Sequence, residues 1–211
     1  MRALCLIDDG VLEIQRRTLP ELRRGWCRLA VRAAGVCSSD VARGFFGGAR
    51  RWPLVMGHEL AGEVVEGIEG LPAGTRATVF PLLPCFACPP CAAEEYALCG
   101  SYDYFGSRRD GGFAELLDVP AWNLLPITEG VSFDDAALCE PLAVVLHALD
   151  RLEPGEGELA IVGDGFLALL AVAVLRRTRP GLRVTVLGRH PGKLARAAAL
   201  GAEVVGPEGA E

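Results

Sequence analysis

Residues 158–205 read ELAIVGDGFLALLAVAVLRRTRPGLRVTVLGRHPGKLARAAALGAEVV, and this stretch decides the fold class. A short apolar run ends in Gly163-x-Gly165-x-x-Ala168, a helical segment follows, and the strand-like runs RVTVLG and AEVV are separated by a second helical segment. Strands that alternate with helices in this way predict a parallel sheet. Small residues in the first turn let the backbone and a helix N-terminus approach a pyrophosphate, so the stretch predicts a dinucleotide-binding turn.

The same stretch supplies the candidate cofactor-binding residues, which are Gly163, Gly165, Phe166, Leu167, Ala168, Gly188, Arg189 and Lys193. In NAD-binding sheets an acidic residue about 20 positions after the turn binds the ribose hydroxyls. Gly188 stands there in this sequence, and Arg189 follows it. Because no carboxylate repels a 2'-phosphate and Arg189 can pair with one, we expect NADP as the cofactor, with NAD as the alternative. Lys193 is a second candidate for the same phosphate.

The predicted parallel sheet contains only half of the strands of a complete dinucleotide-binding sheet, which has about six. The first half would hold the adenosine and the pyrophosphate but not the nicotinamide. We therefore expect either that the chain is the N-terminal portion of a longer protein or that something else supplies the second half. An exposed sheet edge favours association, so we also expect a homo-oligomer.

The composition is that of a folded globular protein, with 51% hydrophobic and 23% charged residues. The net charge of -6 is spread without a basic stripe, which argues against a nucleic-acid or membrane partner and favours a small molecule. The N-terminus MRALCLIDDGVLEI lacks the pattern of a secretory signal, so we expect a cytoplasmic protein.

Four of the 8 cysteines lie close together in PCFACPPCAAEEYALC, residues 84–99. They follow the pattern C-x2-C-x2-C-x7-C and form what we call the four-cysteine cluster: Cys85, Cys88, Cys91 and Cys99. In a reducing compartment, clustered thiols are more often metal ligands than disulfides. Four thiolates at this spacing can surround one zinc tetrahedrally and leave no position open for chemistry. We therefore expect a structural zinc, with an iron-sulfur site as the alternative.

A second group of metal-ligand residue types is called the three-ligand cluster: Cys37 in AGVCSSD, and His58 and Glu59 in MGHELAGEVV. Thiolate, imidazole and carboxylate all bind zinc, and three protein ligands with one water make an open, catalytic kind of site. A single cysteine or histidine is more often part of a protein core than a metal ligand. The three residues can form one metal site only if the fold brings them together.

A chain of motifs resembles the zinc-dependent medium-chain alcohol and polyol dehydrogenases. The resembling stretches are AGVCSSD, PLVMGHELAGEVVE, the four-cysteine cluster, DGGFAE, CEPLAVVLHAL and VGDGFLALL. The stretch from PLLPCFACPPC to YDYFGSRRDGGFAE is similar to galactitol-1-phosphate and related polyol dehydrogenases, including sorbitol dehydrogenases. The resemblance implies hydride transfer between NAD(P) and an alcohol, a polyol or a polyol phosphate, with two zinc ions per chain.

The resemblance also implies roles for individual residues. The three-ligand cluster would hold the catalytic zinc, and Glu140 would either ligate that zinc or lie just outside it. Asp40 would orient the histidine ligand, and Ser39 would hydrogen-bond the substrate oxygen and pass its proton outward. Some relatives relay the proton to a histidine a few residues later, but Ala42 stands in that region here. Ser39, Asp40 and Glu59 are therefore the expected catalytic residues.

The expected architecture is α/β with a mostly β catalytic domain. Short alternating strands, with no helical periodicity before residue 132, predict an N-terminal domain over residues 1–152. The resemblance implies that this domain is chaperonin-10-like (GroES-like), followed from residue 153 to 211 by the first half of a Rossmann domain. The alternative function is a truncated, catalytically incompetent zinc-binding domain. A zinc-independent quinone reductase is disfavoured, because those relatives lack both metal sites.

The loop GSRRDGG offers two interpretations for its adjacent basic residues, Arg108 and Arg109. Guanidinium groups suit phosphate geometry, so the pair can bind a phosphorylated sugar. Adjacent arginines in such a loop more often form salt bridges or a subunit contact.

Overall fold

The computed structural model describes residues 1–152, 154–155 and 157–207, and it divides into two compact units. The first is Met1–Glu140, and the second begins at Pro141. This division falls within the helix Cys139–Leu152, near its N-terminus. The boundary expected from the sequence, between residues 152 and 153, lies at the C-terminus of the same helix. Residues 153 and 156 of the predicted linker lie outside the described residues, and the boundary at 152/153 stays a prediction.

The first unit is built mainly from short antiparallel strands, as the sequence predicts. Its strands are β1 (Arg2–Asp8), β2 (Val11–Arg16), β3 (Trp26–Gly35), β4 (Leu54–Val55), β5 (Glu59–Glu66), β6 (Arg76–Val79), β7 (Leu82–Leu83), β8 (Asp103–Tyr104), β9 (Leu116–Pro120) and β10 (Leu124–Pro126). A 5-stranded sheet has the order β10-β6-β5-β3-β9, a 3-stranded sheet has the order β2-β1-β4, and β7 pairs with β8.

Alternation along β3 explains how the larger sheet covers its core. Cys27 and Leu29 are fully buried, whereas the intervening Arg28 lies on the other face and pairs with Asp118 at 2.8 Å. This period of two is expected for a strand with one buried face. The core against this face contains Leu29, Leu60, Val64, Val79, Phe105 and Val119, among others.

The helices of the first unit include two short ones that the sequence analysis missed. They are α1 (Ser38–Phe45), α2 (Pro89–Ala92), α3 (Phe133–Ala137) and the start of α4 (Cys139–Leu152). The sequence analysis saw no helical periodicity before residue 132, but α1 and α2 both lie there. With 8 residues, α1 is too short for a convincing apolar period, and its N-terminus is fixed by Asp40 Oδ2, which accepts the backbone N–H of Cys37 at 3.2 Å.

The second unit contains the parallel sheet predicted from residues 158–205. Its elements are β11 (Glu158–Val162), α5 (Phe166–Thr178), β12 (Arg183–Leu187), α6 (Pro191–Ala199) and β13 (Glu203–Val205). The strand order is β11-β12-β13, and both pairings are parallel. This is the arrangement of the first half of a dinucleotide-binding sheet.

The apolar faces of α5 and α6 form the core of the second unit with the sheet. Val172 and Leu175 of α5, Val184 and Val186 of β12 and Leu194 of α6 are buried together. Among the described residues, no helix has both the length and the apolar character needed to cross a membrane.

Candidate metal centre and cofactor turn

The fold brings the three-ligand cluster together. One ligand atom from each of Cys37, His58 and Glu59 lies within 4.8 Å of the others. Cys37 immediately precedes α1, His58 lies in the turn before β5, and Glu59 is the first residue of β5. His58 and Glu59 are both 7% exposed. A thiol, an imidazole and a carboxylate are thus enclosed at one place.

The pairing of β3 with β5 places Glu59 at this site and requires a glycine beside it. Gly35 is the register partner of Glu59. A Cβ atom at position 35 would overlap the Glu59 carboxylate. The absence of a side chain at the end of β3 therefore leaves room for the carboxylate to point toward Cys37.

Asp40 contacts His58 of the three-ligand cluster, and its side chain is buried, with 1% exposed. Its Oδ1 atom is 3.5 Å from Nδ1 of His58 and 3.2 Å from the guanidinium of Arg43. Within the described part of the chain, Nδ1 of His58 makes no hydrogen bond. Metal-bound imidazoles commonly have a carboxylate near the second ring nitrogen, and Asp40 lies 3.5 Å from Nδ1 of His58.

The charges of the cluster fit a divalent cation. Burial lowers the pKa of His58, but the Asp40 carboxylate and the Cys37 thiol outweigh this and raise the pKa to about 9. Burial raises the pKa of Glu59, the His58 charge lowers it, and the nearby Glu140 carboxylate raises it further. Several anionic groups thus share a buried space with one imidazole, and the donor set is one that zinc accepts.

Glu140, in the first turn of α4, lies beside the three-ligand cluster rather than within it. The hydroxyl of Tyr104 donates a hydrogen bond to Glu140 Oε1 at 3.0 Å. The Tyr104 ring also meets the His58 ring edge-on, with 5.9 Å between the centroids. Burial and the Glu140 charge raise the pKa of Tyr104 above its usual range, so the hydroxyl remains a donor.

The sequence analysis did not identify Tyr104 as a site residue. Its contact with Glu140 spans 36 positions and depends on the pairing of β7 with β8. No local spacing signals such a contact. The only available signal was its position shortly after the four-cysteine cluster.

Ser39, the expected proton carrier, lies in the first turn of α1 and is exposed. Its neighbours in sequence, Cys37 and Asp40, belong to or support the three-ligand cluster. An exposed hydroxyl beside a buried ligand set can connect that set with solvent.

The four-cysteine cluster is also assembled, with all four sulfur atoms within 4.8 Å of one another. The Sγ atoms of Cys88 and Cys91 are 3.4 Å apart, and those of Cys85 and Cys91 are 3.9 Å apart. Thiolates about 2.3 Å from a tetrahedral zinc are separated by comparable distances. The Ala87 backbone N–H and neighbouring thiols lower the pKa of Cys85 to about 6, while burial raises the pKa of Cys91.

The predicted cofactor turn leads directly into the N-terminus of α5. Gly163 has a φ of 126°, and Gly165 directly precedes α5, so Phe166, Leu167 and Ala168 form the first turn of that helix. Phe166 and Leu167 are 51% and 47% exposed. The backbone N–H groups of this helix N-terminus are the kind that bind a pyrophosphate.

The turn after β12 is held by Asp164, a residue that the sequence analysis passed over. Asp164 Oδ2 accepts the backbone N–H groups of Arg189 and His190, both at 2.7 Å. A Cβ atom at Gly188 would lie 2.5 Å from Cβ of Asp164. Arg189 and Lys193 themselves are exposed. The signal available in the sequence was a carboxylate between the two glycines of the turn.

The two arginines of GSRRDGG are occupied by contacts within the first unit. Arg109 pairs with Asp103 at 3.3 Å. Arg108 donates to the backbone carbonyl of Tyr102 at 3.1 Å and stacks on its ring at 3.9 Å. The Arg109 contact agrees with the salt-bridge interpretation, whereas Arg108 contacts the backbone and ring of Tyr102 instead.

Comparison with known proteins places these features in a family. The Alcohol dehydrogenase GroES-like domain family matches residues 23–129. Galactitol 1-phosphate 5-dehydrogenase of Escherichia coli (strain K12) is 36% identical over 177 residues, which cover 82% of this chain and 51% of that relative. The chain thus spans about half the length of this curated relative.

Two solved structures have closely similar folds. A short chain alcohol dehydrogenase from E. coli CFT073, complexed with NADH, matches with a TM-score of 0.91 and 28% identity, covering 100% of this chain and 63% of that one. A zinc-binding dehydrogenase from Sinorhizobium meliloti 1021, bound to NADP, matches with a TM-score of 0.89 and 31% identity, covering 98% of this chain and 61% of that one.

Proposed function

Because the chain belongs to the zinc-type alcohol dehydrogenase family with the GroES-like domain, we propose that it is a zinc-dependent oxidoreductase acting on an alcohol or polyol with NAD(P). The observation that carries this proposal is the convergence of Cys37, His58 and Glu59 within 4.8 Å. The 36% identity to galactitol 1-phosphate 5-dehydrogenase supports a polyol or its phosphate as the substrate class.

The three-ligand cluster would hold the catalytic zinc. Zinc bound there would supply Lewis acidity toward the substrate oxygen. The Asp40 carboxylate lies next to Nδ1 of the His58 ring. The carboxylate is itself held by the backbone N–H of Cys37 and by the guanidinium of Arg43. The role that we propose for Asp40 is to keep the imidazole oriented, so that the ligand set is preorganised before substrate arrives.

Ser39 would accept the proton of the substrate hydroxyl and release it toward solvent. Its exposed position in the first turn of α1, two residues after Cys37, supports this role. Because no histidine follows within the helix, we propose that the proton leaves directly to water.

The four-cysteine cluster would bind a second, structural zinc. Its sulfur separations of 3.4 Å and 3.9 Å suit tetrahedral thiolate coordination. Four thiolates leave no position for substrate. This zinc would therefore stabilise the loop between β7 and β8 rather than take part in the reaction, and the chain would carry two zinc ions.

The turn from β11 into α5 would bind the pyrophosphate of NAD(P). We propose that NADP is the preferred cofactor because Arg189 is exposed beside the end of β12, where a 2'-phosphate would lie. The Asp164 carboxylate is directed at the backbone N–H groups of Arg189 and His190, and it therefore fixes the turn instead of repelling the ligand. Gly188 leaves room for this carboxylate.

We also propose a homo-oligomer in the cytoplasm. Among the described residues, β13 lies at an edge of its sheet, and Val204 and Val205 are 39% and 51% exposed. Such an edge favours association. Clustered thiols that bind a metal instead of pairing as disulfides suit a reducing compartment.

The test is reduction of NADP by a panel of alcohols, polyols and polyol phosphates, followed at the absorbance of NADPH. We expect activity from a protein in which this chain is extended by the second half of the dinucleotide-binding sheet, loss of about a hundredfold or more when that protein carries Cys37→Ala, and retention when it carries Cys139→Ala. Cys139 is a suitable control because it belongs to neither cysteine site. Zinc binding without oxidation of any substrate by either cofactor would support the alternative, a catalytically incompetent zinc-binding domain.

A further inference from the structure

Tyr104 connects the four-cysteine cluster with the three-ligand cluster. It ends β8, where it is the register partner of Leu82 in β7. The chain between these two strands carries all four cysteines of the four-cysteine cluster. Closing this loop around a metal therefore fixes the strand that delivers the Tyr104 side chain.

The Tyr104 side chain makes two contacts at the candidate catalytic site. Its hydroxyl donates to Glu140 Oε1 at 3.0 Å, and its ring lies edge-on to His58. The hydrogen bond occupies one carboxylate oxygen of Glu140. The ring contact limits how far the tyrosine can move without disturbing a metal ligand.

The Glu140 carboxylate has two possible positions relative to a metal in the three-ligand cluster. It accepts the hydrogen bond of Tyr104, whose ring lies edge-on to His58, yet it is not among the residues whose ligand atoms converge. If it moved inward it would add a fourth protein ligand. A catalytic zinc site with four protein ligands would lose the open position that substrate needs.

We propose that Tyr104 is a positioning residue whose hydroxyl holds the Glu140 carboxylate outside the metal site and so keeps one coordination position open. This inference rests on the proposed function, because it assumes a metal in the three-ligand cluster. It also gives the four-cysteine cluster a role at the reaction centre, since that cluster fixes the strand carrying Tyr104.

The test compares Tyr104→Phe with a matched control, Tyr102→Phe. The first change removes the hydroxyl and keeps the ring beside His58. The control removes a hydroxyl two positions earlier, from the ring that stacks on Arg108. Metal affinity at the three-ligand cluster is measured by competition between Co²⁺-loaded protein and a chromogenic chelator, with Cys37→Ala defining the signal from the four-cysteine cluster.

We expect Tyr104→Phe to bind Co²⁺ about tenfold more tightly, because the freed Glu140 becomes a ligand, and Tyr102→Phe to match wild type. The size is that by which hydrogen bonds to metal-site residues commonly change metal affinity. Added imidazole, which needs the open position, should perturb the Co²⁺ absorption of wild type but bind about tenfold more weakly to Tyr104→Phe. The double variant with Glu140→Gln should return both values to those of wild type.

If Tyr104 has a purely structural role, Tyr104→Phe should bind Co²⁺ more weakly than wild type. That result, or a gain that persists in the double variant, would overturn the proposal. Glu140→Gln alone provides an independent check that does not depend on the folding of Tyr104→Phe. It should leave Co²⁺ affinity unchanged, and a loss would mean that Glu140 is already a ligand. If Cys37→Ala removed no metal, the proposed function itself would fail, and this inference with it.

Discussion

The Asp164 carboxylate meets His190 through both its backbone and its side chain. Oδ2 accepts the His190 backbone N–H at 2.7 Å, and Oδ1 lies 3.0 Å from Nδ1 of the imidazole. The turn after β11 is thereby tied to the turn after β12. Both turns are parts of the proposed cofactor site, so one buried carboxylate shapes the two surfaces that would contact the pyrophosphate and the ribose.

Replacing Asp164 with asparagine tests the charge of this contact. The hydrogen bonds from His190 and Arg189 hold the pKa of Asp164 well below its ordinary value of 3.8. A depressed pKa stabilises the folded state above pH 3.8, and that stabilisation is lost as the pH falls below it. We expect Asp164→Asn to melt at a lower temperature than wild type at pH 7, with the difference shrinking below pH 3.8. Thermal unfolding followed by circular dichroism measures this, and Asp150→Asn, an exposed carboxylate on α4, serves as the control.

Arg189 should decide the preference between the two nicotinamide cofactors. Its guanidinium is exposed after β12, and a 2'-phosphate is its natural partner. We expect Arg189→Ala to weaken NADP binding by about tenfold and to leave NAD binding unchanged, measured by titration calorimetry. Lys193→Ala, as the comparison, should have a smaller effect. An equal loss of affinity for NADP and NAD would show that Arg189 does not bind the 2'-phosphate.

The metal-free protein should become less stable as the pH rises through the pKa of His58. Burial lowers this pKa, but Asp40 and Cys37 raise it from 6.5 to about 9. A raised pKa stabilises the folded state fully below pH 6.5, and the stabilisation disappears as the pH passes about 9. Melting temperatures of chelator-treated protein between pH 6 and pH 10 measure the effect. Asp40→Asn should flatten the profile, and an unchanged profile would contradict the assignment of Asp40 as the partner of His58.

Leu29 reports on the core that supports the metal site. It is fully buried on β3, which lies between β5 and β9 in the sheet. The strand β5 begins at Glu59, directly after His58. We expect Leu29→Ala to lower the free energy of unfolding by about 2–5 kcal/mol in urea titrations. Leu125→Ala, at a position that is 51% exposed, should change it by less than about 0.5 kcal/mol.

Much of the architecture follows from local patterns. The Gly163-x-Gly165 turn between an apolar strand and a helix predicts the parallel unit, because each feature has a direct steric reason. The spacing of the four-cysteine cluster likewise predicts its convergence, since a short loop keeps its ligands near one another. The alternating residues of β3 predict a half-buried strand, and the structure has one at Trp26–Gly35.

Other features depend on contacts that no local pattern specifies. Helices α1 and α2 were missed because their 8 and 4 residues complete only about two turns and one turn, too few to establish a helical period. The helical periodicity that begins at residue 132 belongs to two helices, α3 and α4, which are divided at Leu138. The contact of Tyr104 with Glu140 joins residues brought together by strand pairing. Asp164 was overlooked because the middle position of the glycine turn is open to any residue in the motif.

The central claim is that the chain holds one open and one closed zinc site. Metal content per chain, measured by mass spectrometry on protein purified without chelators, tests it most directly. The account predicts two zinc ions in wild type and one in each of Cys37→Ala and Cys88→Ala. One zinc in wild type, lost only with Cys88→Ala, would contradict it, because the three-ligand cluster would then hold no metal.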